Sequence, residues 1–250
     1  MKQLFKLTAM VAILLPFNGC KTASNTLSTD NNSNSLSWVG WYEGMTPCAD
    51  CQGIQTLIKL TQNGAYEMKT LYAGQGKDAT TETGTVKWNG NGTVITLVGN
   101  GQSAGNSYLI SADKITMLDR NNKTITGNMS DRYVLKKAHA GIADRHWTLT
   151  ELNGKSVKTA PKEVWLILNF EDNSVTGNSG CNTFRGIYEL SWGDRIKFTK
   201  MVSTMMACLD METERTFLDA INKVDSYTIN GDILTLNRAR MAPLARFKAE

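Results

Sequence analysis

Gly44-Met45-Thr46-Pro47-Cys48-Ala49-Asp50-Cys51-Gln52-Gly53, running into Ile54-Gln55-Thr56-Leu57-Ile58-Lys59-Leu60, is the stretch from which the rest of the chain can be read. Pro47 and Gly53 punctuate the backbone as a loop around the cysteines, and the alternating run behind them reads as a β-strand. Two cysteines separated by two residues can bring their sulfurs together, to close a disulfide or to chelate one soft metal ion. A thioredoxin-type pair needs its first cysteine at a helix N-terminus, where the dipole stabilises the thiolate. Here the following segment is β-patterned and Asp50 adds negative charge, so a metal or sensing site ranks above a redox enzyme.

Further alternating runs follow at residues 65–71, 83–88, 93–98, 107–111, 114–118 and 133–136, with turn signals such as Asn63-Gly64, Asn89-Gly90-Asn91-Gly92 and Asn121-Asn122 between them. Regular short strands without a helical period predict a sandwich or barrel over residues 38–137. A barrel of about eight strands has room for one small ligand, such as a lipid, but a core filled by its own Ile, Leu, Val and Trp88 is the expectation. Residues 138–144 carry no sustained period and form the expected domain boundary, in which His139 is read as a solvated linker histidine.

Residues 145–250 alternate differently. Residues 164–170 are nearly continuously apolar, as in a buried strand, while 187–190 and 196–198 alternate. Phe217, Leu218, Ile221 and Val224 recur at helical spacing, with Glu212 and Glu214 near the start and Lys223 near the end. A hairpin around Asn230-Gly231-Asp232 and a last strand at 244–247 follow. The fold class is therefore mainly β: a small β-barrel domain, then an α+β domain with one main helix on a curved antiparallel sheet.

Residues 1–19 read as an export signal, with Lys2 and Lys6 before an apolar run too short to span a membrane. It ends in Phe17-Asn18-Gly19-Cys20, which resembles the bacterial lipoprotein signal and implies lipid attachment at Cys20. Residues 21–37, rich in Ser, Thr and Asn, read as a flexible tether with a reach of roughly 20–25 Å. Lys21 stands where an aspartate would signal inner-membrane retention, which favours the outer membrane. Without Lys2 and Lys6 the chain carries 25 Lys+Arg against 23 Asp+Glu, too balanced for nucleic-acid binding. Four cysteines then remain, and of the three possible pairings local spacing favours Cys48 with Cys51 and Cys181 with Cys208.

Two resemblances sharpen this. Gly40-Trp41-Tyr42-Glu43-Gly44, Pro47-Cys48-Ala49-Asp50-Cys51-Gln52-Gly53-Ile54, Asn63-Gly64-Ala65-Tyr66 and Met117-Leu118-Asp119 together resemble the N-terminal domain of the NlpE copper-resistance lipoproteins. The resemblance implies a lipocalin-like barrel in the cell envelope, linked to copper tolerance and envelope-stress signalling. His146-Trp147-Thr148-Leu149, Gly180-Cys181-Asn182 and Thr204-Met205-Met206-Ala207-Cys208 resemble the META domain of the HslJ family, for which no enzymatic activity is established as a class. Neither a Gly-x-Ser-x-Gly elbow, a phosphate loop nor His-Glu-x-x-His is present, and His139 and His146 are the only histidines.

The reading is a non-catalytic, lipid-anchored envelope protein in copper homeostasis or stress sensing through Cys48 and Cys51, with an envelope signalling protein as partner and Cu(I) as the metal those thiolates suit. Thiol–disulfide exchange at Cys48 and Cys51, or a binding module with purely structural disulfides, are the alternatives. Met205 and Met206, with Met201 and Met211, crowd the Cys208 segment as soft ligands; filling core gaps is their expected role.

Overall fold

The computed structural model describes residues 38–76, 78–100, 105–157, 162–209, 211–239 and 242–250. Cys20 and the tether lie outside the described residues.

The first eight strands are β1 (Gly40–Thr46), β2 (Ile54–Leu60), β3 (Ala65–Tyr72), β4 (Thr80–Trp88), β5 (Val94–Gly99), β6 (Ser107–Ile110), β7 (Lys114–Met117) and β8 (Val134–Ala138). They form an antiparallel meander that closes when Trp41, Tyr42 and Glu43 pair with Ala138, Lys137 and Lys136. Strand β1 breaks the expected pattern through Gly44. A Cβ there would stand 2.8 Å from the carbonyl oxygen of Val134, so the seam between β1 and β8 closes only over a glycine.

Alternation decides what fills the barrel. Tyr42, Ile58, Leu60, Tyr66, Ile95, Tyr108, Ile115 and Leu135 all turn inward and pack together, so the interior is a side-chain core. Trp88 departs from the expectation. It shares the parity of Gly84 and Val86, but as the last residue of β4 it sits at the rim, half-exposed, edge-on to Trp38 at 5.2 Å.

Strands β9 (Trp147–Leu152), β10 (Lys155–Ser156), β11 (Val164–Leu168), β12 (Ser174–Ser179), β13 (Thr183–Ser191), β14 (Arg195–Ser203), β15 (Ser226–Asn230), β16 (Ile233–Asn237) and β17 (Ala245–Ala249) form the second sheet. This sheet goes beyond curvature: β17 pairs with β9 from Ala245 opposite Leu152 to Ala249 opposite Trp147, giving a second closed barrel of eight strands with β10 alongside β9.

Helix α1 (Glu212–Lys223) lies between β14 and β15, and Phe217, Ala220 and Ile221 form its buried stripe. Phe217 is fully buried, with its ring 5.6 Å from Phe184 on β13 and 6.3 Å from Phe247 on β17. Those strands face each other across the barrel, so one helical side chain fills its middle. Phe217→Ala should cost about 3–5 kcal/mol in urea unfolding, as expected for an aromatic removed from a packed core. The exposed Val202→Ala should stay within about 0.5 kcal/mol of wild type.

The barrels share a wall. On β2, Ile58 and Leu60 face the first core, while Leu57, with Trp41 of β1, belongs to the cluster of the second barrel. The segment expected to be a solvated linker is instead part of this joint. Ile142 is fully buried and accepts a hydrogen bond through its carbonyl from the Trp147 indole at 2.9 Å, and His139 is only 5 % exposed. The sequence pattern misses this because single buried side chains in a short connection leave no period.

Candidate functional site

The cysteine loop grows out of a hairpin whose strands pair to its base, Thr46 opposite Ile54. Its far side is fixed to the end of β3: the Gln52 amide donates to the Ala73 carbonyl at 3.2 Å, and the Ala73 amide to that of Gly53 at 2.9 Å. Gln75 donates to the Asp50 carbonyl at 3.0 Å. Gly53 holds φ at +151°, and a Cβ there would collide with the Met45 side chain, whose thioether packs against it. Cys48 and Cys51 are half-buried and joined as a disulfide, with Cα atoms 5.3 Å apart. The exposed Asp50 places Oδ1 3.4 Å from the Cys48 sulfur. Among the described residues, Cys48, Asp50 and Cys51 are the group of three or more His, Cys, Asp and Glu side chains close enough to hold a metal ion. Met45, which sequence reasoning passed over, packs its thioether against Gly53 at the loop's edge; its place three residues before Cys48 was the available signal.

The second cysteine pair sits in a different environment. Cys181 is fully buried and bonded to Cys208, 27 positions on. The two motifs that flank them act as one lock through Asn182. Its Oδ1 accepts from Thr204 Oγ1 and from the Met206 amide, both at 2.7 Å, and its Nδ2 donates to the Met206 carbonyl at 3.0 Å and to Glu214 Oε1 at 2.9 Å. Both donors and both acceptor positions of that amide are used. Glu214, on the first turn of α1, also accepts from Ser179 Oγ at 3.0 Å and from the Asn182 amide at 2.8 Å.

Met205 and Met206 do not fill core gaps. Met205 is 98 % exposed and Met206 about half exposed, with Leu209 and Val202 exposed beside them. Met206 is held by its backbone in the Asn182 network, so its side chain is left outside. Met211, just before α1, accepts the Cys208 amide on its sulfur at 3.4 Å, and Met201 packs against the core.

Burial pushes the Glu214 carboxyl up, but the hydrogen bonds from Asn182, Ser179 and Cys181 outweigh it and hold the group below its ordinary value of 4.5. The ionised form is the one the fold stabilises. Its contribution is complete above about pH 4.5 and fades as pH falls through the lower folded value. Glu214→Gln should therefore cost about 1–3 kcal/mol at pH 7, as a buried hydrogen-bond network loses a charged member. The gap between variant and wild type should narrow in urea melts at pH 3.

A third group of residues occupies the joint. Lys59 is buried, with Nζ donating to Asn173 Oδ1 at 2.8 Å and to the Glu171 carbonyl at 3.1 Å, over the Phe170 ring at 4.9 Å. Burial lowers its pKa, opposed by Glu67, Glu171 and neighbouring carboxylates. His139 Nδ1 lies 2.6 Å from the Tyr227 hydroxyl and 3.7 Å from Asp194 Oδ1, and its Nε2 lies 4.0 Å from Glu43 Oε2. Burial pushes the imidazole down to about 4, Asp194 opposing.

A β-barrel carrying a Pro-Cys-x-x-Cys loop, joined to a second barrel locked through Gly-Cys-Asn, defines a two-module protein, and family models agree module by module. Residues 42–128 match the family model of the NlpE N-terminal domain and residues 140–250 that of the META domain. Lipoprotein NlpE of Escherichia coli (strain K12) is 26% identical over 145 residues, which are 57% of this chain and 60% of that protein. The chain thus matches less than two thirds of this curated relative. A Shewanella oneidensis protein described as a lipoprotein is 38% identical over 44% of this chain and 97% of its own, with a TM-score of 0.39. The Cpx pathway activator NlpE from Escherichia coli is 19% identical over 85% of this chain and 92% of its own, with a TM-score of 0.32.

Proposed function

We propose that this chain is a lipid-anchored envelope protein that works without catalysis, in copper homeostasis or envelope-stress sensing, and that the Cys48–Cys51 loop is the sensing element. The observation that carries the reading is the loop itself: two half-buried sulfurs on a braced hairpin, with Asp50 and the Met45 thioether at its edge. A disulfide cannot chelate. Adding two electrons and two protons converts it to two thiols, and a bound Cu(I) would displace the thiol protons to gain two soft thiolates. The loop thus couples redox state to copper binding.

The names of the similar proteins, a lipoprotein and an activator of the Cpx pathway, support an envelope location and a signalling partner. Cys20 is the proposed anchor and the outer membrane the proposed site. Sensing is favoured over thiol exchange because the residues after Cys51 enter β2, so no helix N-terminus stands at the pair to stabilise a thiolate.

Competition against a Cu(I) chelator tests the loop. Reduced wild type and Cys181→Ser, Cys208→Ser should retain copper, and Cys48→Ser, Cys51→Ser should lose it; equal retention by that last variant refutes the reading. For the anchor, Cys20→Ser should move the protein from the detergent phase to the aqueous phase on phase separation. Unchanged partitioning would show that the membrane attachment lies elsewhere.

A further inference from the structure

We propose that the joint between the two barrels is a binding site for a divalent transition-metal ion, with His139 Nε2 and the Glu43 carboxylate as its protein ligands. The site is separate from the cysteine loop and the inference does not depend on that loop's role. It begins from a gap in hydrogen bonding. Among the described residues, three buried side-chain polar atoms have no partner: Glu43 Oε2, His139 Nε2 and Trp192 Nε1. All three residues line one cleft of about 580 Å³. Buried polar atoms are nearly always paired, so three orphans converging on one cleft point to something polar that binds there.

The other side of the imidazole says what that is. His139 Nδ1 lies 2.6 Å from the Tyr227 hydroxyl, which can take either role in that hydrogen bond, and 3.7 Å from Asp194 Oδ1, which can only accept. A metal ion on Nε2 requires the tautomer in which Nδ1 carries the proton and donates it to the tyrosine oxygen, and the Asp194 carboxylate on that side favours it. That tautomer leaves Nε2 as a bare lone pair. It faces Glu43 Oε2, a second acceptor, at 4.0 Å. Two lone pairs opposed across a short gap repel each other, and a cation between them turns the repulsion into two bonds.

Distances and donor types choose the cation. Zinc-type ions sit about 2.0–2.2 Å from imidazole nitrogen and carboxylate oxygen, so the observed gap already holds one in line. A tetrahedral angle needs the two atoms about half an ångström closer, within reach of the Glu43 side chain, which is a third exposed. One nitrogen and one oxygen without sulfur favour Zn²⁺, Co²⁺, Ni²⁺ or Cu²⁺ over Cu(I), and imidazole disfavours Mg²⁺ and Ca²⁺. Tyr227, at hydrogen-bond distance from Nδ1, is the outer-shell partner that fixes a ligand histidine's tautomer and ring plane. Trp192 Nε1 then has a role as donor to a metal-bound water on the cleft side. Lys136 and Lys137 line the same cleft and oppose the ion, so affinity is moderate. Glu43 comes from β1, His139 follows β8, and Trp192 and Asp194 lie in the turn between β13 and β14, so an ion here ties the two barrels together.

The test uses the full chain with both disulfides intact, where Cys48 and Cys51 cannot chelate. Zn²⁺ is titrated by calorimetry, and Co²⁺ by its visible spectrum as a second probe. Wild type should bind one ion and melt at a higher temperature with Zn²⁺ present. Glu43→Gln and His139→Gln should each weaken binding at least about tenfold, and Tyr227→Phe by a smaller factor within the roughly 10–100-fold range of outer-shell changes. Cys48→Ser, Cys51→Ser should bind as wild type does. Glu43→Gln alters a partly exposed side chain, so its folding does not hang on the buried histidine. Absence of saturable binding to the oxidised wild type, undiminished binding by Glu43→Gln, or loss of Zn²⁺ in the cysteine variant would each overturn the proposal.

Discussion

Strand β2 is buried on both faces, and the arrangement of the molecule follows from that. Its inward residues complete the first core and its outward residues, Leu57 and Lys59, lie against the second barrel. A charged side chain on such a face is costly unless its protons are used. Lys59 meets the condition with two hydrogen bonds to the turn between β11 and β12 and with the Phe170 ring beneath its ammonium. Trp41 and Phe170, edge to face at 4.5 Å, complete the contact from both sides. The barrels are thereby joined across a specific, partly polar surface, and the short connection from 139 to 146 becomes part of it.

The two disulfides sit in different surroundings. Cys181 and Cys208 tie the segment before α1 to the turn after β12, and the Asn182–Glu214 network occupies the space beside that link, so the bridge and the buried hydrogen bonds hold the same three elements. Closing a loop of that size stabilises by roughly 3–4 kcal/mol in the chain-entropy model. The Cys48–Cys51 bridge closes a loop too short to contribute comparably, and it stands at the edge of a hairpin already fixed by backbone pairing.

Much of this was legible along the chain. Apolar and alternating runs marked many of the strands in both modules, the spacing of Phe217 and Ile221 marked α1, and Pro47 with Gly53 marked the cysteine loop, because each depends on local backbone preference and on which face a side chain presents. β1 was not among them, since Gly44 interrupts its alternation for the sake of a close approach to β8 that no local rule records, and β9, β10 and β12 were missed as well. Trp88 and the exposed Met205 show the same limit: parity and residue type were right guides to the face, but position at a rim or in a backbone-held loop decided burial.

The sequence by itself determined element types, the loop that carries Cys48 and Cys51, and the motifs that meet at Asn182, all of which are encoded within a few residues. Tertiary structure alone decided that the second sheet closes through β9 and β17, that one face of β2 serves a second core, and that His139 faces Glu43 and Asp194 in the joint. Those contacts join residues up to about a hundred positions apart, and such pairings are selected by the packing of whole barrels, for which no period or motif in the chain is a record.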